Sequence, residues 1–404
     1  MSVTESRSFE SPTFLQLLLA FAWTLAGYFI LHRGHLDPFL FSDAHVYANA
    51  LSSWVSGQNA YDAHFGALRF LYPPIFLYVA GPLANVFPAH WGWILYLAID
   101  LACTLALPIV LARFYFKQSW LNALFALLLF LAAPQFGGVL ALASGNLACV
   151  LYLLVFLAAL PGLGKNRWAW FYAAVFLVSL IKINLLLMLA LPILAGKRQT
   201  IRSSACALVT IAAYLLQKIL VPGLYEGYKS SLRYELFEAH QYGYGVFGIV
   251  ADTNYKFHHT IGRSPYWITG VFVLLLFTGL LLLRRRLPLD GLKRDRTDGI
   301  WLTLIIVAIV LANPRLLHYD ACVAMPAAFV LITNLLRFRR PILVFAALFL
   351  VSLLAAFFVH STPLKGSLET AGLLLAFTAT FFKLWRETSP QHQLEAVRAT
   401  SAVS

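Results

Sequence analysis

The sequence predicts an all-α polytopic membrane protein, and three observations lead there. Hydrophobic residues make up 60% of the 404 and charged residues only 12%, about half the charged share of a soluble domain. Mean hydropathy is +0.76, and apolar runs recur along the chain at lengths that approach the roughly 20 residues a spanning helix needs. Ten Trp, 18 Tyr and 32 Phe supply rings for long bilayer interfaces.

The runs are 13–32, 91–112, 119–134, 144–160, 168–181, 184–196, 203–221, 266–283, 299–312, 316–336, 341–360 and 364–384. The first is too long for a signal-peptide core, and no small-residue cleavage site follows it, so it reads as an uncleaved span. The two runs before Lys197 are short for full spans, which predicts a broken or tilted pair. A further run, 74–87, carries Pro74 and Pro82 and is flanked by Pro73 and Pro88.

The basic residues place that run. Arg113/Lys117, Lys165/Arg167, Lys197/Arg198/Arg202, the 284–296 cluster, Arg337/Arg339/Arg340 and Lys383/Arg386 fall between apolar runs. All of them face the cytoplasm if the N-terminus is inside and 74–87 is a re-entrant or interfacial helix; a full crossing there would turn several outward. The expectation is therefore about twelve crossings with both termini cytoplasmic. Residues 1–12 form an N-terminal segment, 13–384 a transmembrane domain and 385–404 a polar tail. A cell's inner membrane is the expected location, with the functional side facing the periplasm or exterior.

The net charge of +13 does not indicate nucleic acid, because the cations sit in short clusters that encode topology and suit anionic headgroups or phosphates. Cys103, Cys149, Cys206 and Cys322 each lie in an apolar run without a CxxC pair and read as small buried hydrophobes. Asp-x-Asp is absent and His258-His259 is the only adjacent histidine pair, so no metal site is predicted.

This threading leaves two large outer segments, 33–90 and 222–265, and smaller outer turns near 135–146, 182–184, 313–318 and 360–365. No internal repeat of fixed length is apparent, which counts against a transporter built from inverted repeats. In the first segment Ser42 is a plausible N-cap of a short helix and Gly57 its stop. Val46, Ala50 and Trp54 share one stripe, so the helix would lie along the membrane surface. Asp43 and Tyr47 are one turn apart on one face, which sets a carboxylate at bilayer-surface depth. An acid in a first turn is also favoured by the helix dipole alone. Asp37 and Asp62 occupy turn-like settings and read as structural.

The succession Ser42-Asp43…Tyr47…Ala50, Gly57-Gln58-Asn59-Ala60-Tyr61-Asp62, Phe70-Leu71-Tyr72-Pro73-Pro74 and Gly81-Pro82-Leu83-Ala84 resembles glycosyltransferase family 87. These are polyprenol-phosphate-mannose-dependent mannosyltransferases of the GT-C superfamily. Gly145-Asn146-Leu147 stands where the family has a Gly-Gln-x-Asn-like turn, without the Gln. Lys182-Ile183-Asn184 is similar to its Lys-x-x segment, and Asn313-Pro314-Arg315-Leu316-Leu317-His318-Tyr319 to its Pro-x-x-x-His segment. The likeness spans roughly residues 40–335. It implies a GT-C fold and sugar transfer on the outer face, from a polyprenyl-phosphate sugar to a lipid-linked or glycan acceptor. It also implies Asp43 as the catalytic base.

The chemistry asks for a carboxylate that takes the acceptor's proton and cations that stabilise the departing phosphate. A lipid phosphate leaves well enough that no metal or other cofactor is needed; the lipid-linked sugar phosphate is a co-substrate. Candidates for the phosphate are Lys182, Arg315 and a cation of 222–265, Arg263 or Lys256. The structural readings are a snorkelling Lys182 and an Arg315 paired with Asp320. His318 could bond the phosphate, assist proton transfer or be a satisfied structural histidine. Asp100, deep in a run, could pair with Lys218 or a neighbouring Tyr. Tyr47, Tyr72, Asn146 and Tyr244 are the candidate sugar contacts. Tyr225, Tyr228, Tyr234 and Tyr242 form with Tyr244 either an acceptor platform or an interfacial aromatic belt. The rival class is a transporter or flippase of lipid-linked sugars, which would need charges along a central path.

Overall fold

The computed structural model describes residues 13–32, 41–86, 89–132, 141, 143–196, 198–287, 294–321, 323–336, 340–358 and 362–388. Several expectations lie outside the described residues: those for 1–12, Asp37, 133–140, Lys197, 288–293, Cys322, 337–339, 359–361 and the tail beyond 388. Sixteen α-helices are described: α1 (Phe14–His32), α2 (Ser42–Val55), α3 (Pro74–Val86), α4 (Ala89–Val110), α5 (Trp120–Ala132), α6 (Ala148–Lys165), α7 (Ala169–Ile181), α8 (Ala190–Ala195), α9 (Thr200–Leu220), α10 (Pro222–Phe237), α11 (Val246–His258), α12 (Ser264–Arg286), α13 (Arg294–Leu311), α14 (Ala324–Leu336), α15 (Pro341–Phe358) and α16 (Thr362–Glu387). Between α2 and α3 lies a hairpin of β1 (His64–Phe65) and β2 (Leu68–Arg69).

The protein is an all-α polytopic membrane protein. Five described helices are long and apolar enough to cross a bilayer: Trp91–Tyr115, Ala148–Lys165, Thr200–Leu220, Ser264–Arg286 and Leu364–Glu387. Others are shorter and equally apolar. At the centre stands α13, buried on every side from Trp301 to Leu311. Its run Leu304-Ile305-Ile306-Val307-Ala308-Ile309-Val310-Leu311 has no polar face, as a core helix requires. It packs on α14 and α16, while α4, α6 and α7 pack in series beside it and α1, α5 and α15 close another flank. The outward faces of α9 and α12 stay apolar, with Ile201, Leu208, Ile219, Trp267 and Leu274 exposed, as lipid contact allows.

Helix ends sort the charges. At one end Arg113 donates to the Gln118 carbonyl and Arg284 to the carbonyls of Ile193 and Gly196. Arg286 stacks on Trp385 at 3.6 Å and Lys383 donates to the Asn334 carbonyl. The opposite ends of α4, α6, α7, α13 and α16 converge on Gly145, Asn146, Lys182, Asn313 and Tyr244.

The run 74–87 does not carry the chain across the bundle. Its helix, α3, starts where the Ile75 N–H donates to Gln217 near the end of α9, and the first turns of α4 set Trp93 against His45 of α2, ring centres 4.7 Å apart. The short pair before Lys197 is broken. Lys182 is extended after α7, and a 3₁₀ stretch Ile183–Leu189 precedes α8.

Three expectations change. Ser42 is the first residue of α2 and not its cap; Phe41 precedes it at φ 57°, with its N–H bonded to the Ala143 carbonyl. The chain enters α2 by docking on another segment instead of by side-chain capping. The segment 222–265 is mostly helical, because Tyr225, Tyr228, Leu232 and Glu235 recur at helical spacing after Pro222. The run 316–336 becomes helix only at Ala324: Pro314 and the Asn313 side chain, which accepts from the Arg315 N–H, turn the chain first. His318 therefore lies in that turn segment and not on a helix.

Candidate functional site

Asp43 sits in the first turn of α2, whose apolar face buries Val46, Tyr47 and Ala50. These join Tyr61, Phe70, Tyr72, Phe76, Leu77 and Tyr228 in a second hydrophobic cluster, apart from the main core. The cluster seats α2 on the hairpin, α3 and α10, and leaves Asp43 at the edge of a cavity of about 290 Å³. The walls come from five places: Ser42 and Asp43 of α2, Arg69 of β2, Ser144, Glu235 of α10, and Leu317, His318 and Tyr319 from the segment after α13. Gln241 and Tyr244 also line it.

Asn146 holds the carboxylate: its amide nitrogen donates to Asp43 Oδ2 at 2.7 Å. The close approach depends on Gly145. This residue adopts φ +64°, and a Cβ there would stand 2.8 Å from the Ala44 Cβ. Removal from water pushes the Asp43 carboxyl up to about 6; the Asn146 bond and Lys182 oppose the rise, and Glu235 and Asp320 add to it. Burial, with Lys182 nearby, pulls His318 down to about 4, so its ring is neutral at pH 7.

Two of the expected cations are committed to acids. Lys182 pairs with Asp320, and its ammonium lies 4.5 Å from the centre of the Tyr319 ring. Arg315 pairs with Glu235 at 2.8 Å and donates through Nε to the Gln241 carbonyl at 3.1 Å. Arg315 thus has Glu235, not Asp320, as its partner, and Lys182 is anchored where snorkelling was the structural expectation. Arg263 is exposed at the start of α12 and does not line the cavity. Lys256 pairs with Asp252 on the exposed side of α11.

The aromatic candidates divide. Tyr244 lines the cavity, its ring seated against Gly366 of α16 and its N–H bonded to the Leu316 carbonyl. Tyr47 and Tyr72 do not line it; they share a hydrogen bond of 3.0 Å inside the aromatic cluster, and the Tyr72 carbonyl accepts from Tyr61. Asn146 is buried and bonded to Asp43. Asp100 is fully buried with neither Lys218 nor a tyrosine as hydrogen-bond partner. Cys103, Cys149 and Cys206 are free thiols. Among the described residues no group of three or more His, Cys, Asp or Glu is placed to hold a metal ion.

Sequence reasoning missed Arg69 and Glu235. The hairpin turns on Gly66 at φ +59°, pairing His64 with Arg69 and Phe65 with Leu68. That places the Arg69 guanidinium 3.6 Å from the centre of the Tyr234 ring, a cation–π contact. No carboxylate among the described residues pairs with it. The signal was present in Phe65-Gly66-Ala67-Leu68, an apolar pair around a glycine turn, but strands of two residues carry no alternation to read. Glu235 stands in the outer segment 222–265, and only the fold of α10 brings it to Arg315.

No family model matches the chain, and no curated protein matches it. Among solved structures it is similar to a crystal structure of ArnT from Cupriavidus metallidurans bound to undecaprenyl phosphate. The two are 17% identical, the match covers 92% of this chain and 77% of that one, and the TM-score is 0.38. A likeness of that size assigns no activity.

Proposed function

We propose that this chain is an inverting membrane glycosyltransferase of GT-C type. It moves a sugar from a polyprenyl phosphate to a hydroxyl of a lipid-linked or glycan acceptor at the non-cytoplasmic face. The observation that carries the reading is that Asp43 and Arg69 line one cavity: a carboxyl that titrates near neutrality, and an arginine with no carboxylate partner among the described residues. The order of loop motifs resembling family 87 supports it and makes mannose the sugar to test first.

In the reaction, the acceptor oxygen attacks the anomeric carbon as the bond from that carbon to the phosphate oxygen breaks. The electron pair leaves with the phosphate, and the acceptor proton passes to Asp43. Attack opposite the leaving phosphate inverts the centre. Arg69 receives the growing phosphate charge, with a guanidinium fork suited to phosphate oxygens. Lys182 and Arg315, tied to Asp320 and Glu235, hold the walls. His318 is neutral and serves as a hydrogen-bonding group, and Tyr244 offers a ring to the sugar.

The test is incubation of the purified chain in detergent with radiolabelled polyprenyl-phosphate mannose and a panel of glycolipid acceptors. Asp43→Asn is expected to reduce transfer by roughly 10²–10⁴-fold without unfolding the protein. Full activity in that variant would remove the base. Arg69→Ala is expected to raise the KM for donor, and unchanged donor kinetics would sink the phosphate assignment. Release of lipid phosphate marks an enzyme, whereas an intact donor that only changes leaflet in vesicles marks a flippase.

A further inference from the structure

We propose that Asn146 is a positioning residue for Asp43 and not a sugar contact: it selects which carboxylate oxygen acts as the base. The inference rests on the reading of Asp43 as the base.

Asn146 spends both ends of its amide inside the protein. Its Oδ1 accepts the Ala148 N–H at 3.0 Å, in the first turn of α6. That bond fixes the amide's orientation, since only the oxygen can accept, and so the NH₂ end is the one that meets Asp43 Oδ2 at 2.7 Å. The residue is 3% exposed and has no surface left for a sugar. Its backbone is clamped as well. The Asn146 N–H reaches the Ala141 carbonyl at 3.3 Å, and Tyr96 of α4 donates to the Gly145 carbonyl at 2.6 Å.

The second oxygen of Asp43 differs from the first. No described residue donates to Oδ1, so the two oxygens of one carboxylate are unequal: one is bound, the other left to accept a proton. The charges around Asp43 do not make that distinction. Lys182 from the end of α7, Glu235 from α10 and Asp320 from the segment after α13 act on the carboxylate as a whole. The phenols of Tyr47, Tyr72, Tyr96 and Tyr319 also lie within its field. Among the described residues, only Asn146 ties one oxygen.

Two variants separate this role from capping. Asn146→Ala removes both bonds. Asn146→Asp keeps an acceptor for the Ala148 N–H but sets a second carboxyl against Oδ2, so the cap survives and the donor is lost. The first measurement needs no substrate: an infrared difference titration of the Asp43 carboxyl in the full-length protein, with Asp43→Asn as the subtraction. The midpoint is expected to move to higher pH in both variants, and farther in Asn146→Asp. In turnover with polyprenyl-phosphate mannose, kcat is expected to fall about tenfold or more, with KM for the donor held within about twofold.

An unmoved midpoint overturns the proposal, as does a raised KM at steady kcat, which would make Asn146 a substrate ligand. Loss of folding in both variants would make it a structural cap alone. Should Asp43→Asn retain turnover, the function proposed for Asp43 fails. The infrared midpoint would still report the coupling of the two side chains, so the two failures are distinguishable.

Discussion

Asp43 carries two pH dependences of opposite sense. As the proposed base it must be ionised, so transfer is expected to rise through about pH 6, tenfold per unit on the acid side, and to level off above. Stability runs the other way. The folded carboxyl titrates near 6 and the unfolded one near 3.9, so the folded state binds the proton more tightly. Stability present below about pH 4 is lost as pH rises toward 6. Asp43→Asn should therefore be inactive yet more stable at pH 8, by about 1–3 kcal/mol, a difference read by thermal unfolding in detergent at pH 8 and pH 4. His318 titrates near 4 in the folded chain and cannot supply a limb near 6. His318→Gln should lower the rate and leave the limb in place; a limb that disappears would give it to the histidine. At this scale Asp43 stood apart from Asp37 and Asp62 in the sequence because it falls in a helix's first turn, one turn from Tyr47, while the other two sit in turn-like settings. Arg69 was not legible, because its role comes from a two-residue strand and the ring of Tyr234, more than 160 positions away in the chain.

Between elements, one turn and one ion pair fix the site. The turn 143–147 holds α2 through the Phe41 N–H and through Gly145, whose φ of +64° and 2.8 Å approach to Ala44 leave no room for a side chain. Gly145→Ala should cost at least about 1–2 kcal/mol from the left-handed backbone alone and shift Asn146 from Asp43; the melting temperature and the rate should fall together. The pair Lys182–Asp320 ties the end of α7 to the segment after α13. Asp320→Asn strands a largely buried ammonium and should destabilise by about 3–5 kcal/mol. Adding Lys182→Met should restore most of that, because a buried pair replaced as a unit is close to neutral. A double variant no better than the single would mean that Lys182 serves another partner. The break at Lys182 could be read from run length, whereas Asp320 as its partner could not. Partner choice between Arg315 and Lys182 depends on where α10 delivers Glu235, and helical spacing within 222–237 does not say against which other element that helix packs.

Across the whole molecule, the segregation of charge is the strongest link between sequence and architecture. Six basic clusters separated by apolar runs require an even number of helix passes between them if they share one side. Three of the six meet at one set of helix ends: Arg113, Arg284 with Arg286, and Lys383 lie at the end opposite Asp43, Lys182 and Arg315. The sharing works only because α3 starts beside Gln217 near the end of α9 and hands the chain to α4 beside His45 of α2, so that it starts and finishes at the Asp43 end. If the basic end is cytoplasmic, Arg202 at the start of α9 and Glu226 on α10, both exposed, face opposite sides of the membrane. With the native cysteines replaced by alanine, Glu226→Cys should react with a membrane-impermeant maleimide in intact cells. Arg202→Cys should react only after permeabilisation. The reverse pattern would place the cavity in the cytoplasm, and reaction of both positions in intact cells would mean that α9 does not cross at all. The first of these results would leave the chemistry of Asp43 intact and move its substrates to the other leaflet. The second would undo the topology from which the site's outer position was inferred.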